Sequence, residues 1–238
     1  MGIGFIIPGS GPGKGPIIPA ALHGYGRTDA THRYVASRIA GTAGTIGTSW
    51  EDEIGTADAL NLQSSLVLDT ASGIGPFVRA PQGNANGFLQ LDGTVSDIRT
   101  VVLVYGSPLA ATSSAELFKS EDSRFAIARA GNSTVQVSSA PRSAGNSGYV
   151  LAPNSAGASG WHFVAGTLDG SSAATATFDA ASATYNPGTG GFTGTMIFGG
   201  QSGTTDRALA EILFFSKALT ATELAAVRTA LKAKYQLS

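Results

Sequence analysis

The chain has 238 residues, no cysteine and a formal net charge of −1 at neutral pH. Charged residues make up only 13% of it, about half of the usual share. The missing cysteines exclude a disulfide framework, thiol catalysis and cysteine-ligated metal sites, and the balanced charge argues against binding along a nucleic acid backbone. No apolar run reaches the roughly 18 residues needed to cross a bilayer, so we expect no membrane insertion. The length suits one all-β domain with an extension.

Residues 1–27 are predicted to form an extended arm. Glycine and proline recur through this segment, which excludes a helix and disfavours a central strand. It also lacks the basic start of a secretory signal, and we expect it to be retained. Disordered linkers usually avoid large apolar residues, whereas this segment carries Ile3, Phe5, Ile6, Ile7, Ile17 and Ile18. These residues are predicted to bind a neighbouring subunit; the alternative is a strap that fills a groove of its own domain.

The next segment, residues 22–47, alternates loosely between polar and apolar residues. Tyr34, Ala36 and Arg38 are predicted to share one face of a strand. Val35 and Ile39 are the inward-facing candidates of the other face.

Two sets of residues raise the question of a bound metal. His23 and His32 lie close in sequence, but two histidines without a third ligand are weak evidence, and we predict ordinary surface or interface histidines. The loop aspartates, which offer oxygen ligands suited to calcium, are Asp92, Asp97, Asp169 and Asp206. Because scattered loop aspartates usually form turns, we predict no metal and no cofactor.

Glu51, Asp52 and Glu53 form the only acidic cluster. On a strand, Glu51 and Glu53 would share a face, as the paired carboxylates of a retaining glycosidase do at about 5 Å. The flanking Gly47 and Gly55 instead favour a turn. Gly-x-Ser-x-Gly elbows and phosphate loops are also missing from the sequence. We therefore predict no enzyme, and an endo-glycosidase that uses Glu51 or Glu53 is the less favoured alternative.

The two tryptophans are predicted to be structural. For Trp50, core packing is favoured over stacking on a sugar ring. Trp161 and His162 begin the segment WHFVAGTLDG, whose apolar alternation and Asp–Gly turn predict a hairpin with a return strand around residues 175–178. The sequence shows no second histidine or carboxylate that would pair with His162.

Two further runs predict strands, and a third predicts a loop. Residues 97–106, DIRTVVLVYG, are rich in β-branched residues, which is typical of a central strand. Residues 124–130, RFAIARA, alternate with period two. Residues 140–160, rich in Ser, Gly and Asn, predict an exposed loop that either binds a ligand or connects strands.

The C-terminus predicts a core strand followed by a docked helix. Residues 208–216 form an apolar run, typical of a strand covered on both faces, in which Glu211 is the single charge. Thr220 and Glu223 have the spacing of a capping box at the start of a helix over residues 220–237. The apolar stripe that would dock this helix consists of Leu224, Val227, Leu231 and Tyr235.

The strand AEILFFSKALT and the helix ending in LKAKYQLS resemble the C-terminus of laminin-G-like, concanavalin-A-like jelly-roll domains of bacterial and bacteriophage proteins. Trp50 with its acidic turn, GFLQLDG at residues 87–93 and WHFVAGTLDG resemble further landmarks, so the resemblance covers residues 46–238. It implies an all-β fold, a two-sheet antiparallel β-sandwich with a C-terminal α-helix. The predicted organisation is the arm over residues 1–27 and a jelly roll over residues 28–238. The fold does not imply one activity.

The resemblance and the apolar arm together suggest a structural virion protein of a tailed bacteriophage, as a capsid-decoration or minor capsid component. Its partners would be other virion proteins and copies of itself, in a homo-oligomer that assembles in the host cytoplasm and resides in the virion. The alternative is a carbohydrate-binding adhesion module of a tail or cell-surface protein, which binds host surface glycans through loop aromatics such as Trp50, Tyr149 or Tyr185. Ligand-binding residues are otherwise unassigned, and nucleic acid is not an expected partner.

Overall fold

A computed structural model of the chain describes residues 30–39, 41–44, 49–54, 60–62, 66–70, 74–80, 88–91, 98–107, 115–120, 126–130, 134–138, 149–151, 160–169, 174–185, 196–198 and 207–237. The predicted arm lies outside these residues, together with its candidate partner-binding residues Ile3, Phe5, Ile6, Ile7, Ile17 and Ile18. Most of the predicted loop over residues 140–160 lies outside them as well.

The described elements are strands, one short 3-10 helix and one α-helix. The strands are β1 His32–Val35, β2 Ser49–Trp50, β3 Leu60–Leu62, β4 Val67–Asp69, β5 Phe77–Ala80, β6 Phe88–Leu91, β7 Thr100–Ser107, β8 Ala115–Ser120, β9 Ala126–Ala130, β10 Thr134–Ser138, β11 Tyr149–Leu151, β12 Gly160–Leu168, β13 Ala174–Phe178, β14 Ala181–Tyr185, β15 Met196–Phe198 and β16 Arg207–Phe215. The 3-10 helix is Ala36–Arg38, and the α-helix, α1, is Ala221–Tyr235.

The strands form two sheets in which the described pairings are antiparallel. The helix-side sheet has the order β14-β13-β12-β7-β16-β5-β4. Strand β5 pairs with the first residues of β16, and β1 pairs with the residues that follow. The second sheet has the order β11-β10-β9-β8-β15-β6-β3-β2, and its strands β10 and β11 lie against β13. The predicted all-β antiparallel fold with a C-terminal helix is confirmed.

The helix-side sheet is built around β7, β12 and β16. Strand β7 is fully buried from Val101 to Tyr105, as expected of a central strand whose two faces are both covered. Because side chains alternate along a strand, Val102 and Val104 lie on the face that meets α1, and they share one apolar core with Leu224 and Leu231 of the helix. The strands predicted over residues 97–106 and 208–216 are confirmed as the central strands β7 and β16.

Strand β1 ends earlier than the alternating pattern predicts. It stops at Val35, and a 3-10 turn follows, closed by a hydrogen bond from the Ile39 N–H to the Ala36 carbonyl at 3.1 Å. Tyr34, Ala36 and Arg38 therefore do not share one strand face, and that prediction is wrong. The neighbour of β1 on this edge of β16 explains the limit: Val35 pairs with Glu211, and the preceding residues of β16 pair with β5.

The helix α1 begins as the sequence predicts. The Thr220 hydroxyl accepts a hydrogen bond from the Glu223 N–H, and the Glu223 carboxylate accepts one from the Thr220 N–H at 2.8 Å. Such caps are worth about 1 kcal/mol. Gln236, in left-handed conformation with φ 52°, ends the helix, one to two residues short of the predicted range. The predicted stripe is buried at Leu224, Val227, Leu231 and Tyr235.

Candidate functional site

An open groove separates the N-terminal half of α1 from strands β12, β13 and β14. Its volume is about 190 Å³, room for roughly six water molecules. The polar side chains that line it are Thr167, Thr175, Thr177, Ser182 and Arg228, and its larger apolar ones are Phe163, Leu219 and Leu224. Polar groups beside an apolar wall are the usual lining of a small-molecule site.

The register of three strands assembles the hydroxyls of this groove. Thr175 stands opposite Thr167 on β12 and Thr184 on β14, and Thr177 stands opposite Ser182. The Oγ1 atoms of Thr175 and Thr184 are 3.0 Å apart, which is hydrogen-bond distance. The cause is that side chains alternate along β13: in its sequence ATATF, Ala174, Ala176 and Phe178 share one face, and Thr175 and Thr177 share the face that lines the groove. Thr175 is half-buried there and Thr177 is buried. We call Thr167, Thr175, Thr177 and Ser182 the hydroxyl patch.

Arg228 enters the groove from α1. It is half-buried, and its Nη1 donates a hydrogen bond of 2.8 Å to the main-chain carbonyl of Asp179. Asp179 begins the tight turn between β13 and β14 with φ 50°, a left-handed conformation that aspartate tolerates better than most residues. Within the described residues no carboxylate pairs with Arg228, so its charge faces only a neutral carbonyl.

The side chain of Asp179 holds the buried histidine beside the groove. Its carboxylate lies 2.9 Å from Nδ1 of His162 and accepts a hydrogen bond of the same length from the Phe163 N–H. Phe178 packs on the imidazole, with ring centroids 4.7 Å apart. This pairing corrects the expectation that His162 has no carboxylate partner: the two residues are 17 positions apart and meet only because β12 and β13 form a hairpin.

A second His–Asp pair repeats the arrangement on β1. Asp52 lies 3.0 Å from Nδ1 of His32 and accepts hydrogen bonds from the N–H groups of Arg33 and Ile54. The Asp52 side chain is only 1% exposed, against 29% for Asp179. His32 is itself buried, so the prediction of a surface or interface histidine is wrong for it. His23 lies outside the described residues.

Glu211 is the centre of a buried charge cluster on the helix face. It is 1% exposed and accepts hydrogen bonds from Arg33 Nε at 2.7 Å, Lys234 Nζ at 2.5 Å and the Tyr235 hydroxyl at 2.6 Å. Arg33 also lies 3.5 Å from Glu53. We call Glu211, Arg33, Lys234 and Tyr235 the Glu211 cluster; it ties β1 and the end of α1 to β16.

A β-bulge decides which way Glu211 faces. Between Leu209 and Glu211 the pairing of β16 with β7 shifts by one residue, so that Glu211 stands opposite Val104. Val104 belongs to the core shared with α1. A one-residue slip moves a side chain to the other face of a sheet, so an unbulged β16 would turn Glu211 away from Lys234 and Tyr235.

The pKa directions agree with an ionised Glu211. Burial disfavours its charge most strongly, but the charges of Lys234 and Arg33 and the bonds they donate outweigh burial and lower the pKa of Glu211. Burial likewise opposes the charge on Arg33, yet Glu211 raises the pKa of that guanidinium. Burial, reinforced by Glu211, raises the pKa of the Tyr235 hydroxyl, which therefore stays a proton donor. Burial lowers the pKa of Lys234, although Glu211 opposes that shift.

The predicted turn covers only the end of the acidic cluster over residues 51–53: Asp52 forms an isolated β-bridge with Tyr34, and the turn begins at Glu53. Glu51 accepts a hydrogen bond from the Ser49 hydroxyl at 2.8 Å, and Glu53 accepts one from Arg38 at 2.6 Å. These contacts give Glu51 and Glu53 separate partners.

The two tryptophans occupy different environments. Trp50 is fully buried and packs edge-on against Tyr34, so core packing is confirmed and sugar stacking by Trp50 is excluded. Trp161 is half-buried and lies edge-to-face with Phe77, ring centroids 5.2 Å apart. It covers Gly106, where a Cβ atom would lie only 2.9 Å from the indole. Gly106 is therefore required by the close approach of Trp161, which has a structural contact as predicted.

Other kinds of site are not found in the part of the chain that the structure describes. No group of three or more His, Asp or Glu side chains there has the geometry of a metal site. No described helix is long and apolar enough to span a membrane. The side chains of Tyr149 and Tyr185, the other candidate sugar-stacking residues, lie outside the description.

Comparison with known proteins finds similarity in fold only. No family model and no curated protein matches the sequence. The structure is similar to the botulinum neurotoxin serotype D ligand binding domain in complex with N-acetylneuraminic acid, with TM-score 0.65 and 11% identity over 88% of this chain and 52% of that one. It is similar to the binding domain of botulinum neurotoxin DC in complex with SialylT, with TM-score 0.63 and 10% identity, over 88% of this chain and 52% of that one. It is also similar to the binding domain of Paraclostridial Mosquitocidal Protein 1, with TM-score 0.59 and 12% identity, over 79% of this chain and 51% of that one.

The two antiparallel sheets of this chain therefore have a fold similar to that of these solved domains. The chain spans about half the length of the solved domains it matches. At such low identity the similarity concerns the fold alone. Membership of the laminin-G-like, concanavalin-A-like family stays a prediction.

Sequence reasoning missed the groove, although one signal for part of it was present. The ATATF alternation of β13 places two threonines on one face and was visible in the sequence. By its spacing, Arg228 lies outside the predicted apolar stripe of α1. Its place beside the hydroxyl patch depends on how α1 crosses β12 and β13, which the sequence pattern does not state.

Proposed function

We propose that this chain is a carbohydrate-binding module that holds a sugar unit in the groove between α1 and strands β12, β13 and β14. The observation that carries the proposal is the hydroxyl patch with Arg228 at its side. Hydroxyl and guanidinium groups are the donors and acceptors that a polyhydroxylated ligand needs. The proposal assigns no catalytic step to the chain.

The fold comparison supports the same proposal. Two of the similar structures are binding domains in complex with N-acetylneuraminic acid or SialylT. Because this chain spans about half of their length, the support extends to the kind of fold and not to the position of their ligands. The groove is assigned from the residues of this chain.

A glycan array probed with the full chain tests the proposal. We expect selective binding, which Thr177→Val and Ser182→Ala together weaken by several-fold to about tenfold per lost hydrogen bond. Thr229→Val is the matched control, since Thr229 is exposed on α1 and is not among the residues that line the groove. A blank array, or binding that the double variant leaves unchanged, would contradict the proposal.

A structural role in the virion of a tailed bacteriophage is the second candidate. It is favoured by the large apolar residues between Ile3 and Ile18 and by the low content of charge, which suit a chain packed against copies of itself and other virion proteins. The test is the mass in solution of the full chain and of a version that lacks residues 1–19. An oligomer that becomes a folded monomer on truncation would support the role. Two equally stable monomers would argue against it.

A further inference from the structure

We infer that the groove takes a sugar unit that carries a carboxylate, and that Arg228 binds this carboxylate. The inference rests on the proposed sugar-binding function and adds the charge class of the ligand. It excludes neutral sugars as the preferred ligands of the groove.

The charge of Arg228 is the first observation. Two lysines in and before α1 are neutralised, because Lys217 pairs with Glu223 at 2.9 Å and Lys234 pairs with Glu211 at 2.5 Å. Lys232 is exposed to water and does not line the groove. Arg228 is half-buried in the groove wall, and in the described part of the chain its hydrogen bond goes to the neutral carbonyl of Asp179. A partly desolvated cation without a counter-charge favours an anion as its ligand.

The second observation is that Arg228 is held in place. The Asp179 carbonyl occupies one N–H of Nη1, and a guanidinium has five N–H donors in a rigid fork that matches a carboxylate. The Asp179 carboxylate forms no ion pair with Arg228 in the described part of the chain; it lies against Nδ1 of His162 and accepts a hydrogen bond from the Phe163 N–H. A cation that is already oriented loses less freedom when a ligand binds, which strengthens binding.

The third observation is the neighbourhood of Arg228. The hydroxyl patch shares the groove with it, so a ligand with both an anionic group and several hydroxyls uses the whole lining. The volume of about 190 Å³ is below the roughly 300 Å³ at which drug-sized sites begin, and it suits one sugar unit. Acidic sugars combine these properties in a single ring.

Pairs of ligands that differ only in charge separate the contribution of the carboxylate to binding from that of the sugar ring. Methyl β-D-glucuronide and methyl α-N-acetylneuraminide are titrated by calorimetry into the full chain, each beside its neutral methyl ester. We expect each acid to bind about tenfold or more tightly than its ester, as a charge-assisted hydrogen bond predicts. Arg228→Gln should abolish this preference, Arg228→Lys should keep a part of it, and Lys232→Gln should keep all of it, because Lys232 is exposed on the same helix.

The possible results distinguish the inference from the function on which it rests. Equal affinity for acids and esters, or an acid preference that survives Arg228→Gln, overturns the inference. If neutral sugars then bind and Thr177→Val with Ser182→Ala weakens them, the sugar-binding function stands without the acid preference. Preference for sulfated over carboxylated sugars also overturns the inference. If the chain binds no saccharide of either class, both proposals fall.

Discussion

The two ends of α1 meet the same sheet in opposite ways. At the C-terminal end, Lys234 and Tyr235 close on Glu211, and each of these polar groups has a partner within 2.6 Å. At the N-terminal end the helix stands away from β13 and leaves a groove, in which Arg228 has a carbonyl as its partner. At the C-terminal end the buried charges are paired with one another, whereas at the N-terminal end the positive charge of Arg228 has no paired carboxylate in the described residues.

This contrast separates a part of the fold that stabilises the structure, the Glu211 cluster, from a part that can bind a ligand, the groove. A charge as buried as Glu211 is tolerated only when its partners surround it, since an unpaired buried ion costs several kcal/mol. Arg228 is only half-buried, so water can compensate its charge until a ligand replaces that water. We therefore expect substitutions in the Glu211 cluster to change stability and substitutions in the groove to change binding.

The largest expected effect is that of Glu211→Gln. Losing the carboxylate leaves Arg33 and Lys234 without their shared counter-charge in a buried site, and we expect a loss of about 3–5 kcal/mol in the free energy of unfolding. Urea unfolding followed by circular dichroism measures it. Glu51→Gln makes the same chemical change at an exposed position and should change stability by less than about 0.5 kcal/mol. Equal effects of the two variants would refute the anchoring role of Glu211.

An acid titration sharpens the same contrast. The folded-state pKa of Glu211 lies below its ordinary value of 4.5, so its stabilisation is complete above pH 4.5 and is lost as the pH falls through the folded-state pKa. Wild-type stability should therefore decline below pH 4.5. Glu211→Gln should lack this part of the decline, and Glu51→Gln should retain it. A decline of the same size in all three proteins would show that Glu211 is not its source.

The smallest expected effect concerns the cap at the groove end of α1. Thr220→Ala removes the side-chain cap of the Glu223 N–H and should cost about 1 kcal/mol in the free energy of unfolding. The hydrogen bond from the Thr220 N–H is the main cause that lowers the pKa of Glu223 to about 2, so stabilisation by Glu223 should persist until the pH approaches 2. Thr229→Ala, a mid-helix control, should be neutral. If the control is as costly as Thr220→Ala, helix content and not capping explains the loss.

Several elements were predictable because their signals are local. The capping box needs residues three positions apart, and the buried stripe of α1 repeats at helical spacing. The central strands β7 and β16 are apolar runs whose type and place follow from composition. The predicted range of β1 is too long, because β5 pairs with the first residues of β16 on the same edge and leaves β1 only the residues from Glu211 onward.

The candidate site was not predictable in the same way, because its residues meet across the chain. Arg33 and Glu211 are 178 positions apart, and Arg228 and Asp179 are 49 positions apart. No periodicity connects such positions. His32 and Asp52 are 20 positions apart, and His162 and Asp179 are 17 positions apart. These two pairs can be recognised only once the strand register is known.

Local sequence patterns are sufficient to predict the all-β class, the central strands and the capped, amphipathic helix at residues 221–235. Each of these depends on residue type and on a spacing of a few residues, which the backbone geometry of one element enforces. Only the tertiary structure decided that Glu211 is neutralised and Arg228 is not. A one-residue bulge in β16 turns Glu211 toward α1, and the packing of α1 against the helix-side sheet leaves the groove beside Arg228. Both depend on how elements distant in sequence pack against one another.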